Sequence, residues 1–235
     1  MVMEQSRSTP KDPAAIKTQE TSKRLDPRKA RSRASLIGAA QRFLAVGRTN
    51  VSIQDITDSA NVGFGTFYNH FATKDELFNE AVAKTLDMWG ELRDGIVAGI
   101  DDPAEIFGMT FRMTGRLQRV YPGLTRVLLN SGLSILMSDR GLRPRAISDI
   151  TAGISRGRFT VTDPEVAMMA AGGALLGLLT LLESQPDLDD AEVSDNFAEQ
   201  VLLMFGLSPE DAKAIIRRPL PELPIVAAED RLFPR

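Results

Sequence analysis

The chain has 235 residues, of which 43% are hydrophobic and 25% charged, so it is long and apolar enough for one large globular domain or two smaller ones. It contains no cysteine and one histidine, which excludes disulfides, thiolate chemistry and metal sites built on cysteine or several histidines. The net charge of −3 is uneven: residues 1–75 carry 12 Lys/Arg against 7 Asp/Glu, which fits an anionic partner or a solvated basic tail, whereas residues 76–235 carry 16 against 24.

The chain opens with a polar segment, residues 1–25, that lacks an apolar repeat and contains Pro10 and Pro13. We predict a disordered basic tail there. The segment also lacks the apolar core of a secretion signal, and together with the absence of cysteine this favours a cytoplasmic location.

The first predicted helix begins at Asp26 and Pro27, a good N-cap followed by a residue suited to the first turn, and ends near Gly47. Its first turns carry basic residues that oppose the helix dipole, and either a phosphate backbone or simple exposure to water would offset the repulsion. These residues are Arg28, Lys29, Arg31 and Arg33, and the predicted apolar face is Ala30, Ala34, Ile37, Ala40 and Leu44.

Two short helices and a tight turn are predicted over residues 52–71. Ser52 and Asp55 form a capping-box pattern at the start of the second helix, and Asn61 tolerates the left-handed backbone of a sharp turn. The third helix is predicted over residues 64–71 and is too short to bury all its side chains. This arrangement is typical of a helix-turn-helix, whose second helix enters the major groove of DNA.

Hydrogen-bonding side chains on the third helix point to the same function. Phe67 and Phe71 are four residues apart and are predicted to face the core, so at least some of the polar residues point outward, where they can bind phosphates or base edges. These polar residues are Thr66, Tyr68, Asn69 and His70. Lys74 adds a cation in the first turn of the next helix, where a bound phosphate is favoured. A small helical core with an incidental polar surface is the competing interpretation.

Many positions within residues 30–78 match one family in order and spacing. They are Ser52, Ile56-Thr57, Ala60-Asn61-Val62-Gly63, Gly65-Thr66-Phe67-Tyr68-Asn69-His70-Phe71, Lys74 and Leu77. This pattern resembles the TetR (tetracycline-repressor) family of bacterial transcription regulators. Two positions depart from it: Asn61 replaces the usual turn glycine, and Gly63 replaces the Ser or Thr that caps the third helix, which removes one side-chain cap and one phosphate contact.

The resemblance implies a role for each matching residue and a set of partners. Its phosphate-binding positions correspond to Thr66, Tyr68 and Lys74, its base-reading positions to Phe64, Gly65 and Asn69, and an interface position to His70. With Ser52 at the start of the second helix, these residues form the predicted DNA-binding set. The resemblance also implies a homodimer that binds a palindromic operator in double-stranded DNA, usually as a repressor, and responds to a small apolar effector.

Beyond residue 100 the resemblance is one of architecture. Apolar periodicity without strand signals predicts an all-α fold, with helices near 103–118, 122–138, 142–157, 164–184, 190–205 and 208–217. We therefore predict a three-helix DNA-binding domain over residues 26–75, a larger helical ligand-binding and dimerisation domain over 76–218, and a Pro-rich C-terminal tail over 219–235.

The longest uncharged stretch, residues 166–182, predicts a buried helix. Its 17 residues fall short of the roughly 20 that a membrane span needs, and Glu165 and Glu183 flank it without basic anchors. With the helix at 190–205 it resembles the pair that forms the family's dimer interface, and the alternative is that both helices are intramolecular core. The predicted interface residues are Gly173, Gly177, Leu181, Phe197, Val201 and Met204.

The resemblance implies an effector pocket in this domain, and large apolar residues between positions 89 and 137 suit one, although an ordinary core explains each of them equally well. They are Trp89, Phe107, Phe111, Met113, Tyr121, Leu128 and Met137. Nearby, Arg112, Arg116 and Arg119 either hold an acidic ligand or form a solvated face.

Two other classes of function compete with a regulator. An enzyme is disfavoured, because cysteine is absent and the sole histidine lies on the predicted DNA-binding helix, and no cofactor is expected. The second alternative is a dimeric helical ligand-binding module without sequence-specific DNA binding, which Gly63 favours and Tyr68, His70 and Lys74 oppose.

Overall fold

Ten α-helices and one short 3₁₀ helix make up the part of the chain that the computed structural model describes, residues 27–120 and 122–221. No strand occurs in these residues, which confirms the all-α prediction. In chain order the elements are α1 (Pro27–Ala45), α2 (Ile53–Ser59), α3 (Phe64–Tyr68), α4 (Lys74–Val97), α5 (Pro103–Val120), α6 (Pro122–Ser131), the 3₁₀ helix (Gly132–Met137), α7 (Leu142–Ser155), α8 (Pro164–Ser184), α9 (Asp190–Met204) and α10 (Pro209–Ile216).

The first three helices and the start of α4 enclose one apolar core. Its most deeply buried large members are Leu36, Ile56, Phe67, Phe71 and Leu77. The predicted face of α1 is wrong at its start, because Ala30 and Ala34 are exposed and burial begins only at Leu36. The basic first turns of α1 therefore lie beyond the core. The predicted N-cap Asp26 and tail 1–25 lie outside the described residues.

The start of α2 and the turn between α2 and α3 have the predicted chemistry. The Ser52 hydroxyl accepts a hydrogen bond from the Asp55 amide at 3.1 Å, and the Asp55 carboxylate accepts one from the Ser52 amide at 2.9 Å. Asn61 adopts a φ of 51°, in the left-handed region. Helix α3 is shorter than predicted and ends at Tyr68, because the chain bends after it and returns Phe71 to the core.

Helices α4 and α6 belong to both halves of the described chain. The first turns of α4 place Leu77 and Phe78 in the core with α1, whereas Leu86 and Trp89 pack against helices of the C-terminal half. Val127 of α6 is also buried in the first core. Both helices therefore couple the C-terminal half to the helix-turn-helix through close packing.

Helices α5 and α7 to α10 form the larger second core. Four phenylalanine rings meet at its centre with centroids 5.0–6.5 Å apart: Phe107, Phe111, Phe159 and Phe205. Among the described helices, α8 alone is long and apolar enough to span a membrane. Its Leu178 and Leu182 are fully buried among the other helices, so α8 packs as a core helix of this domain.

The helix predicted over residues 122–138 is interrupted. Gly132 adopts a φ of 56°, which α-helical geometry does not allow, so α6 ends and a 3₁₀ helix follows. Packing continues past residue 218, where Leu220 contacts the cluster around Trp89. Residues 222–235 of the predicted C-terminal tail lie outside the described residues.

Candidate DNA-binding surface and effector cavity

Helix α3 presents two aromatic rings to solvent. Phe64 and Tyr68 are 48% and 56% exposed, and their ring centroids lie 5.8 Å apart in an edge-to-face arrangement. Phe67 is buried and fixes α3 on the core. Gly65 and Asn69 are also exposed. At 100° per residue, these four exposed positions fall within an arc of about 140°, so the residues predicted to read bases lie on one side of the helix.

The residues predicted to bind phosphates differ in the hydrogen bonds and burial that their side chains have within the protein. The Ser52 hydroxyl donates to the Asp55 carboxylate at 2.7 Å and serves first as the cap of α2. Lys74 Nζ donates to the Val51 carbonyl at 3.0 Å, which ties the start of α4 to the start of α2. An ammonium has three protons, so this bond leaves capacity for a phosphate. Thr66 is half-buried.

His70 faces α1 rather than the outer side of α3. Its Nε2 lies 2.7 Å from the Ser32 hydroxyl, and the side chain is half-buried. Burial lowers the pKa of the imidazole below its ordinary value, and the positive charges of Lys29 and Arg33 lower it further. His70 therefore links the turn after α3 to α1 within the same domain, and a direct contact with DNA stays a prediction.

A cavity of about 90 Å³ lies in the helical domain, bounded by α4 to α8 and the 3₁₀ helix. A buried water needs roughly 10–15 Å³, so the cavity has room for a small molecule. Its wall is mostly apolar and includes three of the predicted residues. These are Phe107, Phe111 and Leu128, joined by Leu136, Met168 and Leu175.

Three of the residues predicted for the pocket do not line this cavity. Trp89 and Met113 do not line the cavity, because they pack with Leu117 in a separate apolar cluster between α4 and α5. Met137 is 66% exposed at the end of the 3₁₀ helix. Tyr121 lies outside the described residues.

One side of the cavity is charged. Arg93 of α4 pairs with Asp149 of α7 and donates from Nε to the Thr110 hydroxyl at 3.1 Å. Burial raises the pKa of the Asp149 carboxyl above its ordinary value, against the opposing effect of the Arg93 charge. Arg145, which also lines the cavity, pairs with Asp94 at 2.6 Å. The cavity thus combines apolar walls with a carboxylate and guanidinium groups able to bind a polar substituent.

Sequence reasoning missed this charged side. Arg145 and Asp149 are four residues apart on α7, a spacing that places them on one helix face and was the available signal. The sequence around Arg93 carried no such signal, since none of the adjacent residues indicates that its side chain is buried. The side chains meet only through the packing of α4 against α7.

The arginine stripe on α5 has a structural role. Arg112 and Arg116 both pair with Asp195 of α9, at 2.8 and 2.7 Å, and Arg112 is buried. Arg119 donates to backbone carbonyls in the α8–α9 connection, including that of Pro186 at 2.9 Å. The stripe fastens α9 to α5 and is neither a solvated face nor part of the cavity.

Among the described residues, no group of three His, Cys, Asp or Glu side chains is placed to hold a metal ion.

Helices α8 and α9 expose an apolar face. A Cβ built on Gly173 or Gly177 meets no atom of the described chain within 4 Å, and Met204 is 47% exposed. A shallow groove between the two helices is lined by Phe197, Val201 and Met204, together with small α8 residues. Of the predicted interface residues, Val201 is buried within its own subunit and Leu181 is half-buried.

Family models match both halves of the chain. Residues 36–81 match the model described as bacterial regulatory proteins, tetR family, and residues 102–218 match the tetracyclin repressor-like C-terminal domain. The crystal structure of RolR in complex with resorcinol is 33% identical, with a TM-score of 0.67 over 83% of this chain and 97% of that one. RolR without ligand, also 33% identical, gives a TM-score of 0.69 over 81% and 98%. The chain belongs to the TetR family of transcriptional regulators.

A more distant neighbour supports the fold alone. SmeT, the repressor of the Stenotrophomonas maltophilia multidrug efflux pump SmeDEF, is 19% identical, with a TM-score of 0.60 over 80% of this chain and 97% of its own. None of the curated proteins compared with the chain matches it.

Proposed function

We propose that this TetR-family regulator is a homodimeric repressor that binds a palindromic operator and is released by a small aromatic effector. One observation carries the proposal: α4 packs in the helix-turn-helix core through Leu77 and Phe78, and it lines the effector cavity through Leu86 and Arg93. A molecule that moves α4 from the cavity side would move the helix-turn-helix with it. Binding of the effector and of DNA would therefore oppose each other.

The accessible side of α3 supports the DNA-binding half of the proposal. Tyr68 is exposed and its hydroxyl can donate to a phosphate, while Asn69 is exposed and can pair with a base edge. The basic first turns of α1 lie beyond the core, where they add positive charge to the same domain. One such unit reads few base pairs, so specificity would come from two copies on a palindrome.

The cavity supports a small aromatic effector with a hydroxyl or similar polar group. Phe107 and Phe111 offer aromatic contacts, and Asp149 can accept a hydrogen bond from a hydroxyl. RolR, which is 33% identical, was crystallised with resorcinol, a benzene ring with two hydroxyls. Resorcinol is therefore the first molecule to test.

The test uses the full-length protein and duplex DNA from the region flanking its own gene. We expect it to bind one fragment tightly, as measured by fluorescence anisotropy, and to release it as resorcinol is added. Asp149→Asn should keep DNA affinity but raise the resorcinol concentration for half-release by about tenfold, the loss expected for one hydrogen bond to a charged group. Asp187→Asn, an exposed loop substitution, is the matched control and should behave as the wild type.

If the protein binds DNA specifically but no concentration of resorcinol releases it, resorcinol is not the effector. The proposed DNA-binding function would be unaffected by that result. The competing function is a dimeric helical ligand-binding module without sequence-specific DNA binding. It is favoured by Gly63, which gives α3 no side-chain cap. Resorcinol binding by calorimetry, together with equal affinity for all DNA fragments, would establish that alternative. In either case we propose a non-enzymatic cytoplasmic protein.

A further inference from the structure

Packing among the described residues does not account for a phenylalanine at position 64. It begins α3, is 48% exposed, and lies outside the described apolar clusters. Among the described residues, its one aromatic contact is the edge-to-face pair with Tyr68, which is itself exposed. The two rings together form a contiguous exposed aromatic patch on α3, and an exposed patch of this kind indicates a partner surface.

The residues beside Phe64 leave its ring unobstructed. The residues before and after it, Gly63 and Gly65, have no side chains that could cover the ring. A Cβ built on Gly65 meets no atom within 4 Å, so packing within the described chain does not require glycine there. The space beside Phe64 is therefore available to a closely approaching surface. Tyr68 limits the ring's freedom, since the two planes meet at 65°.

We infer that Phe64 is a specificity-determining residue that recognises the 5-methyl group of thymine in each operator half-site, an inference that rests on the proposed DNA-binding function. Among the edges that the four bases present in the major groove, only thymine offers an apolar group. A phenylalanine ring placed against any other base edge would cover hydrogen-bonding atoms without satisfying them. Contact with the thymine methyl instead removes apolar surface of both partners from water.

The experiment begins with the full-length protein and a pool of randomised duplexes, from which bound sequences are selected and aligned. We expect thymine at one fixed position in each half-site. Deoxyuridine then replaces thymine at that position, which removes the methyl group and leaves base pairing unchanged. Affinity should fall about fourfold for each methyl, the ratio for exposing one such group, and about 16-fold when both half-sites are changed.

Substitutions at Phe64 identify the residue that senses the methyl. Phe64→Ala should bind the thymine and deoxyuridine duplexes with equal affinity, whereas Phe64→Leu, which keeps an apolar side chain, should retain most of the difference. Tyr68→Phe is the matched control, because it keeps both rings and should retain the full difference. Because Phe64 is exposed, all three variants should melt within a few degrees of the wild type.

The outcomes separate this inference from the proposed function. If no sequence is enriched from the pool, the proposed function fails. If a sequence is enriched but duplexes with deoxyuridine bind as tightly as those with thymine at every position, the inference about Phe64 is wrong. The proposed DNA-binding function would still hold. A thymine preference of the same size in Phe64→Ala would also overturn it, because another residue would then read the methyl.

Discussion

Individual side chains on and beside α3 are expected to divide into those that hold DNA and those that read it. Tyr68 is exposed and its hydroxyl can donate to a phosphate, so Tyr68→Phe should weaken binding to all sequences by a similar factor, about tenfold, because phosphate contacts carry no base information. Asn69→Ala should instead change the preferred sequence. Competition among operator variants measures both effects. A changed preference in Tyr68→Phe with an unchanged one in Asn69→Ala would reverse the roles.

Lys74 requires a separate measurement. Lys74→Ala removes a cation that can bind phosphate, and it also removes the hydrogen bond to the Val51 carbonyl. We expect uniformly weaker DNA binding together with a lower midpoint of thermal unfolding. Unchanged DNA affinity in a less stable protein would show that Lys74 serves only to join α4 to α2.

His70 should make the stability of the protein depend on pH. Its pKa in the folded protein lies below the ordinary value of 6.5, chiefly because of burial, so between these two pKa values the unfolded chain binds more protons. Stability therefore falls as the pH drops below about 6.5 towards the folded pKa. The fall should be smaller in His70→Gln, as measured by thermal melting between pH 7.5 and 5.5. Parallel curves for the two proteins would contradict the assignment.

Among the secondary-structure elements, a chain of ion pairs connects the cavity to α1. Arg140, which lines the cavity, pairs with Glu80 of α4 at 3.1 Å and with Asp87. Glu80 also pairs with Arg33 of α1 at 3.4 Å, and the Arg33 guanidinium lies 5.1 Å from the centre of the Phe71 ring, just beyond α3. An effector that displaces Arg140 would thus alter a contact held by the DNA-binding domain.

Glu80→Gln should weaken this connection. These pairs are solvent-exposed and each contributes on the order of 0.2–1 kcal/mol, so DNA affinity without effector should change by less than about fivefold. The effector concentration for half-release should shift by a similar factor. Arg126→Gln breaks a comparably exposed pair with Glu183 of α8 in which neither residue lines the cavity, and it should leave release unchanged. Equal shifts in both variants would show a general effect of surface charge.

The same elements show what the sequence could predict. Local chemistry was sufficient for the capping box at Ser52 and the left-handed Asn61, because each is decided by residues within one or two turns. The exposed start of α1 was not predictable, since Ala30 continues the apolar period but no described residue packs over it. The pairing of Arg93 with Asp149 depends on two helices that are distant in sequence, so the apolar periodicity of either helix does not predict it.

At the scale of the whole molecule, DNA binding should depend strongly on salt. The basic amino-terminal part would release counterions from DNA phosphates, so the logarithm of the affinity should fall linearly with the logarithm of the salt concentration. Because a dimer doubles the number of phosphate contacts, its slope should be about twice that of a monomeric variant. Affinity that stays constant between about 50 and 200 mM salt would exclude this mode of binding.

The dimer should depend on the exposed face that α8 and α9 share. Two recognition helices must lie roughly 34–36 Å apart, or a multiple, to meet successive turns of the major groove, and we propose that α8 and α9 hold that spacing. Gly177 lies on the exposed side of α8, and a Cβ built on it meets no atom of the described residues within 4 Å. Gly177→Leu should therefore leave the subunit folded while it crowds a partner helix at close approach. Gly95→Leu on α4 is the matched control, since that helical glycine is equally unobstructed but is not on either of the proposed interface helices.

We expect Gly177→Leu to reduce the molecular mass in solution to that of one chain and to reduce operator affinity by at least about 100-fold. That factor is smaller than the usual 10³–10⁷ margin of specific over non-specific binding, much of which depends on two half-sites. The circular dichroism spectrum should keep its helical form, because a Cβ at position 177 meets no described residue of its own subunit. Light scattering and anisotropy on the same samples give both quantities. A folded Gly177→Leu protein that remains dimeric and binds normally would place the interface elsewhere than on this face of α8.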